Sequence, residues 1–375
     1  MPSRRKRKSP DAINLTWSED TELIGLTLEL QPLQDSSLYP QYTIGLHAWF
    51  LDQVRQADPD LSAYMHDGES EKPFTISGLQ GLSFTSSRSH SLNANQTYRW
   101  TITALSQPVV QWLAQWLEHP PTEIDLRDAP LQIKAWTISH PATNYNNLFE
   151  SSSEALSTAP PAITLSFLSP TSFRRKGHHF PLPVPRNVFH SYLRRWNDFS
   201  EQEFDQQYFL DWIEEYVILT RHHLQSTKVV AGKKGSVTGF TGSVEFGLLH
   251  PALEDAEFTQ LFVALGQLAP YCGTGHKTTF GLGQTRIGWS TAAIETAAPA
   301  QDLLAQRIDE LTELFKHQRK RTGGDRATHT AETWATVLAR RELGESLQNI
   351  AQDLEIPYET AKTYSKLARR ALKSE

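Results

Sequence analysis

A stretch with the composition of a phosphate-binding loop lies at residues 271–289, YCGTGHKTTFGLGQTRIGW. It contains five of the 20 glycines of the chain and a cation, Lys277, near its centre. Because glycine carries no side chain, the N–H groups of such a loop can approach phosphate oxygens closely. The alternative that composition leaves open is a glycine-rich turn that binds no ligand.

The elements that flank this loop separate it from the familiar nucleotide-binding loops. The motif GxxxxGK[ST] is absent from the sequence, and no GxGxxG opens a helix after a strand. An apolar helical run at 258–268 precedes the glycines, and a strand-like run at 285–289 follows them. This order predicts a loop that lies across a protein surface.

The composition narrows the classes of protein to consider. A chain of 375 residues suggests two or three domains. No run of about 18 apolar residues occurs, so we expect no membrane span and no membrane partner. The single cysteine, Cys272, excludes an internal disulfide and a cysteine-cluster zinc site, and it fits a reducing cytoplasm. The 14 histidines form neither HExxH nor HxxxH, so we expect no metal and no cofactor.

The charge is unevenly distributed. The net charge of −6 argues against a protein that coats nucleic acid non-specifically. Local basic patches can still bind phosphates while the whole chain stays acidic. For any single patch, the alternative is a solvated surface without a ligand. The basic groups lie at 4–8, 174–176, 194–195 and 228–234.

The first half of the chain has the order strand, helix, strand, strand, helix, strand. After a disordered basic tail at 1–20, this order predicts a ferredoxin-like βαββαβ domain at 21–145. A short additional helix at 61–65 ends at His66-Asp67-Gly68, where Gly68 suits a helix C-cap. The six main runs are 22–30, 44–54, 73–79, 98–104, 109–117 and 133–140.

The order recurs at 160–290, after a polar linker at 141–160. We therefore predict an α+β protein with two ferredoxin-like domains in tandem. The paired strands of the second domain are joined by a hairpin tip, AGKKG. The runs of this domain are a strand at 162–168, a helix from 187 to 216, strands at 217–230 and 236–249, a helix at 258–268, and the last strand after the glycine-rich loop.

The C-terminal region, 300–375, is helical by its pattern. Helices at 333–343, 347–354 and 358–372, with turns at Gly344 and Pro357, predict a helix-turn-helix. The alternative is a small helical module that binds no nucleic acid. The apolar residues expected in its core are Leu347, Ile350, Ala351, Leu354, Ile356 and Tyr364. The recognition helix would carry Lys362, Lys366, Arg369 and Arg370.

Two ferredoxin-like units with a glycine-rich loop before the last strand resemble the RAMP superfamily of CRISPR-associated proteins. Within it, the chain is similar to the repeat-RNA-processing endoribonucleases, the Cas-six family. The resemblance covers residues 20–290 and leaves the helical tail outside. It is carried by residues 44–79, by GTGHKTTFGLGQTRIGW at 273–289, and more weakly by 169–197.

The resemblance implies cleavage of CRISPR repeat RNA without a metal. In this family the 2′-OH of the RNA attacks the adjacent phosphate and leaves a 2′,3′-cyclic phosphate and a 5′-OH. The reaction needs a base, an acid, and a cation near the charge that develops on phosphorus. Histidine suits the first two roles because its pKa lies near neutrality.

The family resemblance suggests two histidines for this chemistry. Members with an HxxxxxK arrangement before a PFT strand use that pair, which implies His66 as base or acid and Lys72 as phosphate stabiliser. Other members place a catalytic histidine on the first helix, where this chain has His47. That residue shares an apolar stripe with Leu51, so a satisfied buried histidine is the alternative. Some members use a tyrosine on this helix, and Tyr42 is a weak substitute.

The resemblance also implies the RNA-binding residues. These contacts would be made mainly to phosphates. They are Gly273, Gly275, Lys277, Gly281 and Gly283 in the loop, Arg174, Arg175 and Lys176 on an exposed turn, and Lys233 and Lys234 at the hairpin tip, which in the family often meets the base of the RNA stem.

Three functions stay open at this point. The first is the endoribonuclease, which the HxxxxxK pair favours. The second is a non-catalytic RAMP subunit that holds RNA among other CRISPR effector subunits. The third is a regulator that binds nucleic acid through the helix-turn-helix. In the first case we expect the tail to be a separable accessory that binds DNA, RNA or a partner protein.

Overall fold

The first half of the chain forms an antiparallel sheet with helices packed against it. The structure is a computed structural model that describes residues 17–66, 71–86, 89–127, 129–153, 160–176, 178–230, 235–290, 299–317 and 325–372. The elements of this half are β1 (Leu23–Pro32), β2 (Ser36–Leu38), α1 (Tyr42–Ala57), α2 (Pro59–His66), β3 (Phe74–Ile76), β4 (Ser83–Ser86), β5 (Ser89–Leu92), β6 (Tyr98–Ala104), α3 (Gln107–Glu118), β7 (Glu123–Asp125), β8 (Pro130–Thr143) and α4 (Tyr145–Ser152).

Alternation along β1 decides which face of this sheet is buried. Ile24, Leu26 and Leu28 have no exposed surface and belong to one apolar core with residues of α1 and α3. Thr27 points to the opposite face, where its hydroxyl lies 2.8 Å from that of Thr101. Strand neighbours that alternate in this way give one apolar face and one polar face. The polar face is therefore the one left for contact with the rest of the protein.

The second half repeats the arrangement. Its sheet has the order β12-β13-β9-β14, and the first has β3-β6-β1-β8-β7. If the four main strands of each half are counted along the chain, both orders read second, third, first, fourth. The tandem ferredoxin-like prediction is confirmed. The elements are β9 (Ala162–Thr171), β10 (Phe173–Arg175), β11 (His178–Phe180), α5 (Pro185–Phe199), α6 (Gln206–Tyr216), β12 (Val217–Val230), β13 (Ser236–Leu248), α7 (Ala256–Cys272) and β14 (Thr285–Ile287).

The segment predicted as a linker, 141–160, is partly regular structure. β8 runs on to Thr143, and α4 follows it. The Asn144 side chain accepts a hydrogen bond from the N–H of Asn147 and so caps α4. Tyr145 is buried, and its hydroxyl donates to the carbonyl of Leu105 at 2.9 Å. A polar composition concealed this helix because only a few of its residues are buried. The helix predicted at 187–216 also differs from the prediction, because it is divided into α5 and α6.

The described part of the tail forms four helices, and its predicted core is confirmed. Ile350 and Leu354 are buried with Val337, and Leu347, Ile356 and Tyr364 pack against them. No helix in the described part of the chain has the length and apolar character to cross a bilayer. The helices of the tail are α8 (Pro299–His317), α9 (Asp325–Glu342), α10 (Leu347–Asp353) and α11 (Tyr358–Leu372).

The glycine-rich loop joins the two domains. Gly281 pairs with Ser77, just after β3, in an isolated parallel bridge. The hydroxyl of Thr103 on β6 donates to the carbonyl of Tyr271 at 2.5 Å. The loop thus connects α7 and β14 of the second domain while it contacts the first. Its glycines permit this close approach, because a Cβ on Gly281 would lie 3.0 Å from the backbone nitrogen of Gly78.

Two glycines offer a test of this packing. Gly283 and Gly288 both have positive φ, 68° and 93°, so alanine is strained at either position. A Cβ on Gly283 would also overlap the carbonyl oxygen of Thr274, whereas one on Gly288 meets nothing within 4 Å. We expect Gly283→Ala to lower the free energy of unfolding by about 1–3 kcal/mol more than Gly288→Ala. Urea unfolding measures both; equal losses would contradict the prediction.

Candidate active site

A cleft of about 1000 Å³ opens beside α1 and α2. His47 from α1, His66 from the end of α2, and Lys72 all line it. The fold therefore brings together the three residues predicted to be catalytic, although they come from separate elements. The glycine-rich loop and the tail also line this cleft, through Thr279, Phe280, Gln352, Asp353 and Glu355.

The glycine-rich loop holds the imidazole of His47. Its Nδ1 lies 2.9 Å from the carbonyl oxygen of Thr279. Its ring stacks on Phe280 with the centroids 4.3 Å apart. A carbonyl oxygen can only accept, so Nδ1 carries the hydrogen, and in the neutral ring Nε2 carries the lone pair. His47 is half-buried, and this tautomer is the one that can accept a proton at Nε2.

His66 lies in a different environment. It is the last residue of α2 and is exposed. Lys72 is half-buried; the intervening residues 67–70 lie outside the described part of the chain. The two histidines thus differ in burial and in the helix that positions them.

A second cavity, of about 390 Å³, adjoins the cleft, because Lys72 and Thr279 line both. Basic residues outnumber carboxylates among the described residues that line it. Such an excess of positive charge attracts phosphate groups. The basic residues are Lys72, Arg174, Arg194, Arg195 and Lys277, and the carboxylate is Glu71.

Two of these five cations are engaged in holding the cavity together. Glu71 forms ion pairs with Arg194 and with Arg195, whose Nε lies 3.3 Å from the carboxylate. Arg195 is buried, and it also donates to the carbonyl oxygen of Gly275 at 2.8 Å. These contacts join α5 to the glycine-rich loop and to the segment before β3.

Lys277 lies in the left-handed region, with φ of 61°, at the point where the loop turns into a short 3₁₀ helix, Thr278–Phe280. Burial, followed by repulsion from Arg174, lowers the pKa of its ammonium group to about 8, and Glu332 of α9 acts in the opposite direction. Lys277 is therefore largely charged at neutral pH and loses its charge in mildly alkaline solution.

Several backbone N–H groups of the loop form hydrogen bonds inside the protein, which its composition did not predict. The N–H of Gly273 donates to Ala269, that of Gly275 to the Ser191 hydroxyl, and that of Gly283 to Pro170. These amides serve the internal packing of the loop and do not cradle a phosphate. The glycines are required here for close approach and positive φ, and RNA binding by the loop stays a prediction.

The other predicted RNA-binding residues lie at several places. Arg174 and Arg175 are exposed on β10, Lys176 is exposed at the turn that follows, and Arg174 also lines the second cavity. Lys233 and Lys234 fall outside the described residues. The tail cations Lys362, Lys366, Arg369 and Arg370 are all exposed on α11.

Tyr42 does not line the cleft. It is buried, its hydroxyl accepts the N–H of Leu79 at 3.0 Å, and burial raises its pKa to about 12. The tyrosine that lines the cleft is Tyr39, which precedes α1 and carries the Arg127 guanidinium 4.1 Å from its ring centroid. No periodic pattern indicates Tyr39, because it lies in a turn.

Sequence reasoning also missed a histidine pair beside the second cavity. The rings of His179 and His276 stack with their centroids 5.3 Å apart. Burial is the main cause that lowers the pKa of each to about 4. Both are therefore neutral at physiological pH and cannot supply protons there. Among the described residues, no group of three or more His, Cys, Asp or Glu side chains has the arrangement of a metal site.

Comparison with known proteins identifies the two domains. The family model for the CRISPR Cas6 N-terminal domain matches residues 24–148. The model for the CRISPR-associated endoribonuclease Cas6 matches residues 165–285. Neither model includes the helical tail. A search among curated proteins finds no significant match.

Solved structures agree with the family models. Thermus thermophilus Cas6 in a product complex is 24% identical, with a TM-score of 0.58, over 71% of this chain and 100% of that one. A second Cas6, also in a product complex, is 26% identical, with a TM-score of 0.54, over 71% and 99%. A histidine-to-alanine mutant of that second Cas6 is 25% identical, with a TM-score of 0.53, over 71% and 98%.

The order of strands in both sheets, the glycine-rich loop between the domains, and the matches to both halves agree with one another. The chain belongs to the Cas6 family of CRISPR-associated endoribonucleases.

Proposed function

We propose that this protein cuts CRISPR repeat RNA in the cleft beside α1 and α2, without a metal. A 2′-oxygen attacks the adjacent phosphorus, the bond from phosphorus to the 5′-oxygen breaks, and the products carry a 2′,3′-cyclic phosphate and a 5′-OH. The observation that carries this proposal is the convergence of His47, His66 and Lys72 on one cleft. Together they meet the reaction's need for a base, an acid and a cation.

The surroundings of the histidines support an assignment of roles. His47 donates from Nδ1 to Thr279, so Nε2 is the atom that takes the proton from the 2′-OH. His66 ends a helix and is exposed, and its imidazolium form gives a proton to the departing 5′-oxygen. Lys72 stabilises the extra negative charge on the phosphorane. The two histidines exchange their protonation states during cleavage, and solvent restores them afterwards.

The second cavity extends the RNA site. Lys72 lies at its border with the cleft, so a strand whose reacting phosphate lies at Lys72 can continue toward Arg174 and Lys277. These side chains hold the flanking phosphates and contribute position more than sequence recognition. Arg175 and Lys176 on the exposed hairpin lengthen the same basic path. For Lys233 and Lys234, contact with the RNA stem stays a prediction from the family resemblance.

Removal of either histidine tests the assignment. We expect His47→Phe and His66→Ala each to lower kcat for repeat RNA about 100- to 10,000-fold, because each removes one proton-transfer group. Phenylalanine at position 47 keeps the stack on Phe280. A substrate with sulfur in place of the 5′-bridging oxygen needs no acid, since a thiolate leaves unprotonated. Single-turnover cleavage of that substrate should recover in His66→Ala and stay slow in His47→Phe.

The control for these variants is His119→Ala. His119 is exposed after α3 and lines neither cavity, so its loss should leave both kcat and KM unchanged. If the sulfur substrate restored cleavage by His47→Phe, His47 would be the acid and His66 the base. Full activity of both histidine variants would place the chemistry elsewhere.

Lys277 predicts a pH dependence of RNA binding. Its lowered pKa of about 8 means that it is charged below that pH and loses its attraction for phosphate as the pH rises through it. KM for repeat RNA should therefore rise between about pH 7 and pH 9. Lys277→Arg stays charged over this range and should flatten the rise, whereas Lys134→Arg, on an exposed part of β8, should not. An unchanged pH profile in Lys277→Arg would contradict the role of Lys277.

The other candidate functions make different predictions. A non-catalytic subunit of an effector complex would bind repeat RNA and leave it intact in EDTA and in every buffer. A regulator that acts through its tail would bind duplex DNA more tightly than repeat RNA. Cleavage of repeat RNA in the presence of EDTA, with cyclic phosphate ends, supports the endoribonuclease and its independence of metal.

A further inference from the structure

The helical tail lies outside both family models, yet part of it borders the catalytic cleft. Gln352, Asp353 and Glu355, from the end of α10 and the turn after it, line the same cleft as His47 and Lys72. We expected a separable accessory at this end of the chain. The structure does not agree with this expectation. A tail that borders the cleft comes close to any RNA that occupies the cleft.

A group of buried ion pairs fixes the tail to the first domain. Arg127, in the turn between β7 and β8, pairs with Asp353 and with Glu345, whose carboxylate lies 2.9 Å from it. The same two carboxylates pair with Arg340 of α9, at 2.5 Å in the case of Asp353. The side chains of Arg340 and Asp353 are only 1% and 7% exposed. Two cations and two carboxylates balance, so the group can be buried in the junction.

A second contact fixes the tail to the other domain. Leu304 and Ile308 of α8 share an apolar cluster with Val230, at the end of β12. Asp309 pairs with Lys228 and accepts a hydrogen bond from the Ser236 hydroxyl at 2.5 Å. The tail is therefore attached to the β12–β13 hairpin as well as to Arg127. Contacts to both domains fix its position relative to the cleft.

The turn at the cleft has a strained backbone. Glu355 has φ of 52° although it is not glycine. The N–H of Ile356 donates to the carbonyl of Ala351, and that of Glu355 to the carbonyl of Gln352, which is the hydrogen bonding of a Schellman helix end. Glycine would suit this position better, and strain of this kind concentrates at functional sites. The exposed side chains of Gln352 and Glu355 can accept hydrogen bonds from the edges of bases, and Gln352 can also donate.

The helix after this turn presents a row of cations. α11 begins three residues after Glu355 and extends about 20 Å from there. Lys366 follows Lys362 by four residues, and Arg369 and Arg370 follow Lys366 by three and four, so the row lies along one side of the helix. Ala361, Ser365 and Ala368 bury the other side in the tail. The helix that carries the exposed row therefore follows directly after the turn at the cleft.

We infer that the tail is a third RNA-binding module of this enzyme. The turn at Gln352 and Glu355 contacts bases next to the cut, and the cations of α11 bind the phosphates of the RNA beyond the cleft. This inference rests on the proposed function, since the RNA in question is the substrate. RNA is favoured over duplex DNA because the turn and the catalytic histidines border one cavity, so one ligand can contact both.

Binding by the phosphate row is tested with single-charge variants of the full chain. Lys366→Gln and Arg370→Gln should each weaken binding of repeat RNA and lower the slope of log Kd against log salt by about 1. KM should rise while kcat stays unchanged. Lys134→Gln is the matched control, because it also removes one exposed cation, from β8. We expect it to change neither the affinity for repeat RNA nor the salt slope.

Recognition by the turn is tested with Gln352→Ala and Glu355→Gln. The wild type should prefer its own repeat over repeats with single-base changes beside the cut, and each variant should reduce this preference in kcat/KM about tenfold. Gln115→Ala, exposed on α3, is the control and should keep the preference. A loss of folding can be recognised by circular dichroism, and the Lys366 and Arg370 variants test the same proposal independently.

The binding measurements separate this inference from the proposed function, because Kd for repeat RNA does not require cleavage. If the wild type binds repeat RNA without cutting it, the proposed function fails and the salt slopes still test the tail. Unchanged Kd and salt slopes in both α11 variants would overturn the inference. Weaker binding of duplex DNA of the repeat sequence, with unchanged Kd for RNA, would overturn it in favour of a DNA-binding tail.

Discussion

The contact on which the site depends is the docking of the glycine-rich loop against the first domain. Gly281 pairs with Ser77, Thr103 donates to the carbonyl of Tyr271, and the Thr279 carbonyl accepts from His47. Each contact joins a residue of one ferredoxin-like domain to one of the other. The loop therefore fixes the distance between the sheets and, through the same backbone, the tautomer of the proposed base.

In the proposed function, this arrangement separates proton transfer from phosphate binding. The cleft holds two histidines in different surroundings, one half-buried against the loop and one exposed at a helix end. The adjoining cavity holds most of the basic side chains, and Lys72 belongs to both. A strand that follows the positive charge would reach the histidines at this border. Burial also affects the charge of this cavity, since it lowers the pKa of Lys277.

In the described part of the tail, charged side chains are buried where cations and carboxylates balance. Arg127 and Arg340 face Glu345 and Asp353 in a group that is almost closed to solvent. Removal of one partner from such a group costs about 3–5 kcal/mol, because an unpaired charge stays buried. That cost makes the junction specific: the tail docks where the turn after β7 presents Arg127. The cations of α11, by contrast, stay exposed.

The sequence by itself determined the two ferredoxin-like domains and the helical tail. Strand alternation such as that of Ile24, Leu26 and Leu28 is a local signal, and it predicted most strands and helices within a few residues. It failed where few residues are buried, as in α4, whose cap and one buried tyrosine define it. The family resemblance, and not periodicity, selected His47, His66 and Lys72.

Only the tertiary structure decided what these residues contact. No spacing in the sequence indicates that His47 meets a carbonyl 232 positions away, or that the glycine amides are used inside the protein. The same holds for Arg127, which lies in a turn and pairs with the tail more than 200 positions later. Such contacts depend on how domains pack, and packing between distant segments has no period along the chain.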